Sequence, residues 1–77
     1  MKKITIYSTP SCHFCKDAKA LFTEMGLEYT EHDVSKDLPR KTEMTLLSGQ
    51  IGVPVITIDD VVIVGFNKKR ILANLEK

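Results

Sequence analysis

Seventy-seven residues are enough for one domain and too few for two, since domains commonly run to about 100–200 residues and shorter ones already strain to bury a core. Eleven Lys and Arg face ten Asp and Glu, a net charge of +1, which gives no electrostatic reason to expect a nucleic acid or an anionic membrane surface as partner. With 43% hydrophobic and 27% charged residues, the chain has the composition of a folded protein rather than a disordered tail.

Met1-Lys2-Lys3 leads into the alternating Ile4-Thr5-Ile6-Tyr7 and not into a signal-peptide core. No apolar run approaches the ~18 residues of a membrane span. The expectation is a single cytoplasmic domain over residues 1–77, monomeric. Residues 3–7 read as a strand broken by Ser8-Thr9-Pro10-Ser11. From Cys12 onward Phe14, Cys15, Ala18, Leu21, Phe22 and Met25 recur at helical spacing, with Gly26 as a stop. Residues 27–34 form a polar strand suited to a sheet edge.

A second helix begins near Asp37, with Pro39 in its first turn, Met44 and Leu47 facing inward and Gly49 just past its end. Residues 53–58 and 61–64 are β-prone runs separated by Asp59-Asp60, an antiparallel hairpin. Asn67 caps a last helix over residues 68–76 whose buried stripe is Ile71, Leu72 and Leu75. The order β-α-β-α-β-β-α places a right-handed parallel unit before a hairpin, hence a four-stranded mixed sheet with helices on both faces.

Cys12 and Cys15 are the only cysteines. As a scaffold staple their small ring gives only about 2 kcal/mol, against about 3 for a fifteen-residue loop; in a reducing compartment the pair reads as redox or metal chemistry. Zinc wants four ligands, and only His13 and His32 could add to the two sulfurs. On a helical wheel His13 points about 160° from Cys15. Redox chemistry is favoured and no metal is expected.

The start of a helix stabilises an anion, and such settings bring a cysteine pKa from about 8.5 down to between about 3.5 and 7.5. Cys12, at the tip, is the accessible attacking thiol; Cys15, on the rim of the apolar arc, resolves the mixed disulfide. Phe14 belongs to the core by periodicity, or else meets apolar substrate surface beside the thiols. A charged His13 imidazole beside Cys12 favours the thiolate and a more oxidising couple.

Ser8-Thr9-Pro10-Ser11-Cys12-His13-Phe14-Cys15, then Ser48-Gly49-Gln50-Ile51-Gly52-Val53-Pro54 before the hairpin and Gly65-Phe66-Asn67 after it, resemble the small glutaredoxins and the glutaredoxin-like redoxins that serve ribonucleotide reductase. The resemblance spans essentially the whole chain. It implies a thioredoxin-like fold, a cis Val53–Pro54 bond packed beside the cysteines, and thiol-disulfide exchange. It also implies a substrate site made of Thr9, His13, Phe14, Val53, Pro54, Gly65, Phe66 and Asn67. The expected partners are disulfide-containing proteins, with glutathione as co-substrate or thioredoxin reductase as electron donor, and no tightly bound cofactor.

The sequence departs from the glutaredoxin pattern in three places. His13-Phe14 stands for Pro-Tyr, and Thr9 stands where many members have a Lys that holds the glutathione carboxylate. Val64-Gly65-Phe66-Asn67-Lys68 replaces a Gly-Gly followed by an acidic pair. Both ends of the glutathione clamp are altered, and Gly65-Phe66 is similar to the redoxins reduced by thioredoxin reductase. Some glutaredoxins hold an iron-sulfur cluster through the first cysteine and glutathione; Cys15 and the altered clamp argue against that use here.

Overall fold

β-Branched residues at alternate positions give the first strand two usable faces. In the computed structural model, which describes residues 2–76, this strand is β1 (Ile4–Ser8), with Ile4 and Ile6 on one face and Tyr7 on the other. Met1, at the head of the leading segment, and Lys77, at the end of the expected domain, lie outside the described residues. The remaining elements are α1 (His13–Glu24), β2 (Thr30–Asp33), α2 (Leu38–Ser48), β3 (Val55–Ile58), β4 (Val61–Val64) and α3 (Lys68–Leu75).

The sheet order is β2-β1-β3-β4. β1 pairs parallel with β2 and antiparallel with β3, and β3 pairs antiparallel with β4. The polar β2 is an edge strand, as expected, though shorter than the eight residues read from the sequence: its pairing begins at Thr30. β3 begins at Val55 rather than Val53 because Pro54 has no N–H to give the ladder; the Val53–Pro54 bond is cis, as expected. At the β3–β4 turn Asp59 takes the left-handed conformation (φ 53°) that Asp tolerates. Its carboxylate accepts from the Lys3 N–H at 2.9 Å and its own N–H donates to the Lys3 carbonyl at 2.9 Å. Those ties to the start of β1 supply what Asp-Asp lacks as a turn dipeptide.

One face of the sheet carries the main core. Ile4, Ile6, Ile56, Ile58 and Ile63 meet Ala18, Leu21 and Phe22 of α1 and Ile71 of α3; each fully buried large side chain among them contributes about 1.5–3 kcal/mol. The other face holds a smaller cluster of Tyr7, Val34, Met44 and Val55 beneath α2. Helices therefore cover both faces. α1 stops at Gly26 (φ 69°), whose N–H donates to the Thr23 carbonyl while the Leu27 N–H reaches the Phe22 carbonyl, the paired bonds of a Schellman ending.

The helices bury less than their wheels suggest. Phe14 and Met25, the two ends of the α1 stripe, are 58% and 44% exposed; one sits in the first turn of the helix and the other is its C-cap. Leu47 is exposed, leaving Met44 as the one deeply buried residue of α2. The floor below α2 is half polar, with Thr5 and Thr57 alternating with Val55. A polar tie completes its anchoring: the Tyr7 hydroxyl donates to Glu43, which also accepts from Arg40. In α3 Ile71 is buried but Leu72 and Leu75 are only half-buried. Asn74 takes the inner position instead, its amide donating to the Arg70 carbonyl at 2.9 Å.

Candidate functional site

The C-terminal end of β1, the start of β3 and the end of β4 lie together, because Tyr7 pairs with Val55 and Val55 with Val64. The segments flanking these strand ends converge there: the loop from Ser8 to Cys12 after β1, Val53–Pro54 before β3, and Gly65 after β4, leading into α3. The Cys12 N–H donates to the Thr9 carbonyl at 3.2 Å, closing the loop, and the Gly65 N–H donates to the Pro54 carbonyl at 2.9 Å. Gly65 has φ 80°, a conformation that favours glycine.

Cys12 is itself the N-cap of α1. Its backbone is extended (φ −80°, ψ 111°) and its sulfur accepts from the Cys15 N–H at 3.2 Å. The first turn of α1 contains no carboxylate to compete for the positive end of the helix dipole. Cys12 and Cys15 are joined as a disulfide, with Cα atoms 5.2 Å apart, inside the span such a bond tolerates. The two differ in access: Cys15 is fully buried and Cys12 half-buried.

Of the other residues singled out in the sequence, His13 and Phe14 are exposed on the α1 tip, their rings edge to face with centroids 5.6 Å apart. Thr9 is half-buried in the loop, and Pro54 is buried after the cis bond from Val53. Val53 packs against the smaller core cluster and Phe66 against the larger, so both have structural work as well. The Asn67 side chain is occupied as a cap, its Oδ1 accepting from the Arg70 N–H at 3.1 Å. His32 stands beside Tyr7, with ring centroids 5.5 Å apart.

Three polar arrangements escaped the sequence reading. Asp17 Oδ2 lies 3.4 Å from His13 Nε2, a partner that the i,i+4 spacing could have signalled. Buried Ser8 donates to Glu31 at 2.7 Å, and Lys19 donates to the same carboxylate oxygen at 2.7 Å. These bonds, Lys19 first and Ser8 second, hold the Glu31 carboxyl below its ordinary range. Tyr7 is pushed up to about 12, by burial first and by the Glu43 carboxylate second. The Tyr7 bond in turn holds Glu43 low. Both networks pair residues far apart in the chain, and no local spacing announces them.

A depression of about 900 Å³ lies at the opposite end of the sheet between Lys3, Met25, Tyr29 and Leu75. Neither cysteine lines it; the pair sits at the other end of the sheet, at the start of α1. No helix among the described residues is long and apolar enough to cross a membrane.

Residues 4–63 match the family model described as Glutaredoxin. A glutaredoxin-like 8.6 kDa protein in the rubredoxin operon of Clostridium pasteurianum is 45% identical over 74 residues, covering 96% of this chain and 99% of its own. Among solved structures, a mutant of the thioredoxin-like protein BC3987 superposes with a TM-score of 0.91 at 29% identity, covering 99% of this chain and 97% of its own. The glutaredoxin-like protein NrdH-redoxin from Escherichia coli, whose structure is described as the basis of a thioredoxin-like activity profile, gives 0.79 at 25% identity and covers 92% of each chain. With a thioredoxin-like fold, a paired Cys12 and Cys15 at a helix tip and a family match over most of its length, the chain belongs to the glutaredoxin family of thiol redox proteins.

Proposed function

We propose that the protein reduces disulfides by a two-cysteine exchange, in which Cys12 attacks and Cys15 resolves. The observation that carries the reading is the asymmetry of the pair: a half-buried sulfur capping a helix start, and a fully buried one three residues on. In the reduced protein the Cys12 thiolate attacks one sulfur of a substrate disulfide, forming a mixed disulfide and expelling the other substrate sulfur, which takes up a proton. Cys15 then loses its proton and attacks the Cys12 sulfur. The second substrate thiol leaves protonated, the Cys12–Cys15 disulfide forms, and two electrons have passed to the substrate.

Thr9, His13, Phe14, Val53, Gly65, Phe66 and Asn67 form the substrate-facing rim of that exchange, with Pro54 buried behind them. No tightly bound cofactor is required. The donor that returns the electrons is glutathione, acting as co-substrate, in line with the family match. A specific observation favours a second donor, thioredoxin reductase: Asn67 is already engaged as a helix cap and is followed by a cation, where a glutathione clamp would want free acidic groups. The protein then acts as an electron donor in the manner of the redoxins that serve ribonucleotide reductase.

NADPH consumption with a model disulfide separates the two donors. Turnover with glutathione and glutathione reductase supports the first, and turnover only with thioredoxin reductase assigns the second. Reduction of no disulfide by the pre-reduced protein would sink the exchange mechanism itself.

A further inference from the structure

Lys68, Lys69 and Arg70 fill the first turn of α3, where the positive end of the helix dipole disfavours cations. That turn has no acidic residue, and its cap is the neutral Asn67. All three cations are exposed, and none of them is in an ion pair among the described residues. Spaced about 100° apart, they fan around the helix tip within about 3 Å of axial rise. A run that opposes local helix preference, with no compensating ion pair among the described residues, points to a use outside the molecule.

The place of this turn says what use. Gly65, three residues before Lys68, is hydrogen-bonded to Pro54, so the cations flank the β3–β4 side of the site that holds the cysteines. Lys16, one turn along α1 from Cys12, is also exposed and without an ion pair among the described residues. The carboxylates at this end of the sheet are elsewhere or engaged. Asp17 faces His13, while Asp33 bonds Ser35 and Asp37 caps α2 on the far, β2 side.

We propose that the first turn of α3 is a docking surface for an acidic polypeptide segment flanking the substrate disulfide, with Lys68, Lys69 and Arg70 as its specificity-determining residues. The proposal rests on the disulfide-exchange reading and names the substrate class for it. Opposite charge beside the reacting sulfur raises the encounter rate and fixes which side of the disulfide lies toward α3. The chain's net charge of +1 makes this a local preference rather than a general affinity for polyanions.

The test uses the pre-reduced full chain and three synthetic peptides, each with one cysteine activated as a mixed disulfide with neutral 2-thiopyridine and flanked by Glu, Gln or Lys. Attack of the Cys12 thiolate on the peptide sulfur releases thiopyridone, read by absorbance. At about 20 mM salt the Glu peptide reacts about tenfold faster than the Gln peptide and the Lys peptide slower than both, and at about 0.5 M salt the differences collapse. In the triple variant Lys68→Gln/Lys69→Gln/Arg70→Gln the Glu-to-Gln rate ratio falls to about one, while its melting temperature rises because the dipole is no longer opposed. A ratio near one in the unmodified protein, or one that survives in the triple variant, overturns the proposal and leaves disulfide exchange standing. Failure of every peptide to react overturns the exchange reading as well.

Discussion

The tips of α1 and α3 stand at the same end of the sheet and begin alike: each N-cap side chain accepts from the N–H three residues on, Cys12 from Cys15 at 3.2 Å and Asn67 from Arg70 at 3.1 Å. They differ in what they do with the positive end of the helix. At α1 it is left to a sulfur whose charge appears on reduction and vanishes when the disulfide forms, so the dipole favours the reduced, reactive state. At α3 it is joined by three fixed cations, which gain nothing within the molecule. One tip is arranged for chemistry and the other for recognition. α2 is the reference, since Asp37 caps it with Oδ1 accepting from the Arg40 N–H at 3.2 Å and no reactive group is present.

Cys12→Ser gives the largest effect and the sharpest contrast. Serine is a good N-cap, so the helix start and the melting temperature are expected to persist while disulfide reduction falls to the blank rate. Full activity in this variant would reassign the nucleophile. Cys15→Ser is expected to react once and stop, accumulating a substrate mixed disulfide visible by mass spectrometry, whereas Cys12→Ser accumulates none. Equal trapping by both variants would mean that the tip does not separate the roles of the two sulfurs.

Next in size is a test of whether the difference between the tips is local. The Tyr7–Glu43 bond anchors α2 and touches neither tip. Tyr7 titrates near 12 when folded, against its ordinary 10. The folded state holds the proton more tightly, so the stabilisation is complete below pH 10 and is lost as pH rises through the folded value, on the order of 2 kcal/mol in all. Urea unfolding at pH 9 to 12 should show that loss, and Tyr7→Phe should remove this part of the slope without altering thiol reactivity at neutral pH. Smaller again, Asp37→Ala is expected to lower stability by about 1 kcal/mol, a shift of about 4–8 °C in Tm, with exchange kinetics unchanged. A redox effect from this variant would show that capping at large, and not sulfur at one cap, governs the site.

The elements were legible where the signal is local. Alternating β-branched residues, Gly26 and Gly49 after their helices, Asp37 and Asn67 before theirs, and the Cys12–Cys15 spacing all act within a few residues, and each element is found where expected to within a few positions. The errors came at element ends. Phe14, Met25 and Leu47 have the right period to be buried, yet all three are exposed at or near the ends of their helices; periodicity names a face, not how much of it is covered. Buried Ser8 and the Glu43 tie were invisible for another reason, since their partners lie 23 and 36 residues away. The Lys68-Lys69-Arg70 run could be seen in the sequence, but its conflict with the dipole acquires meaning only once Gly65, three residues before α3, is tied to Pro54.

The smallest expected effect concerns His13, the residue next to the Cys12 sulfur on the α1 tip. A protonated His13 beside Cys12 would favour the thiolate and thus the reduced form, making the couple more oxidising. Its side chain is 80% exposed, however, and Asp17 Oδ2 lies 3.4 Å away, so solvent and a carboxylate both dilute its field. His13→Val is therefore expected to lower the reduction potential by less than about 30 mV, a tenfold change in the equilibrium with a glutathione buffer. Asp17→Asn should raise it by a comparable or smaller amount. The double variant decides between explanations: if Asp17 acts through His13, Asp17→Asn has no further effect once His13 is Val. If it shifts the potential equally in both backgrounds, the carboxylate acts on Cys12 directly. Equal potentials for the unmodified protein and His13→Val would leave the dipole, the cap and the exposed Lys16 one turn away as the sources of thiolate stabilisation, and His13 would have no part in the contrast between the two tips.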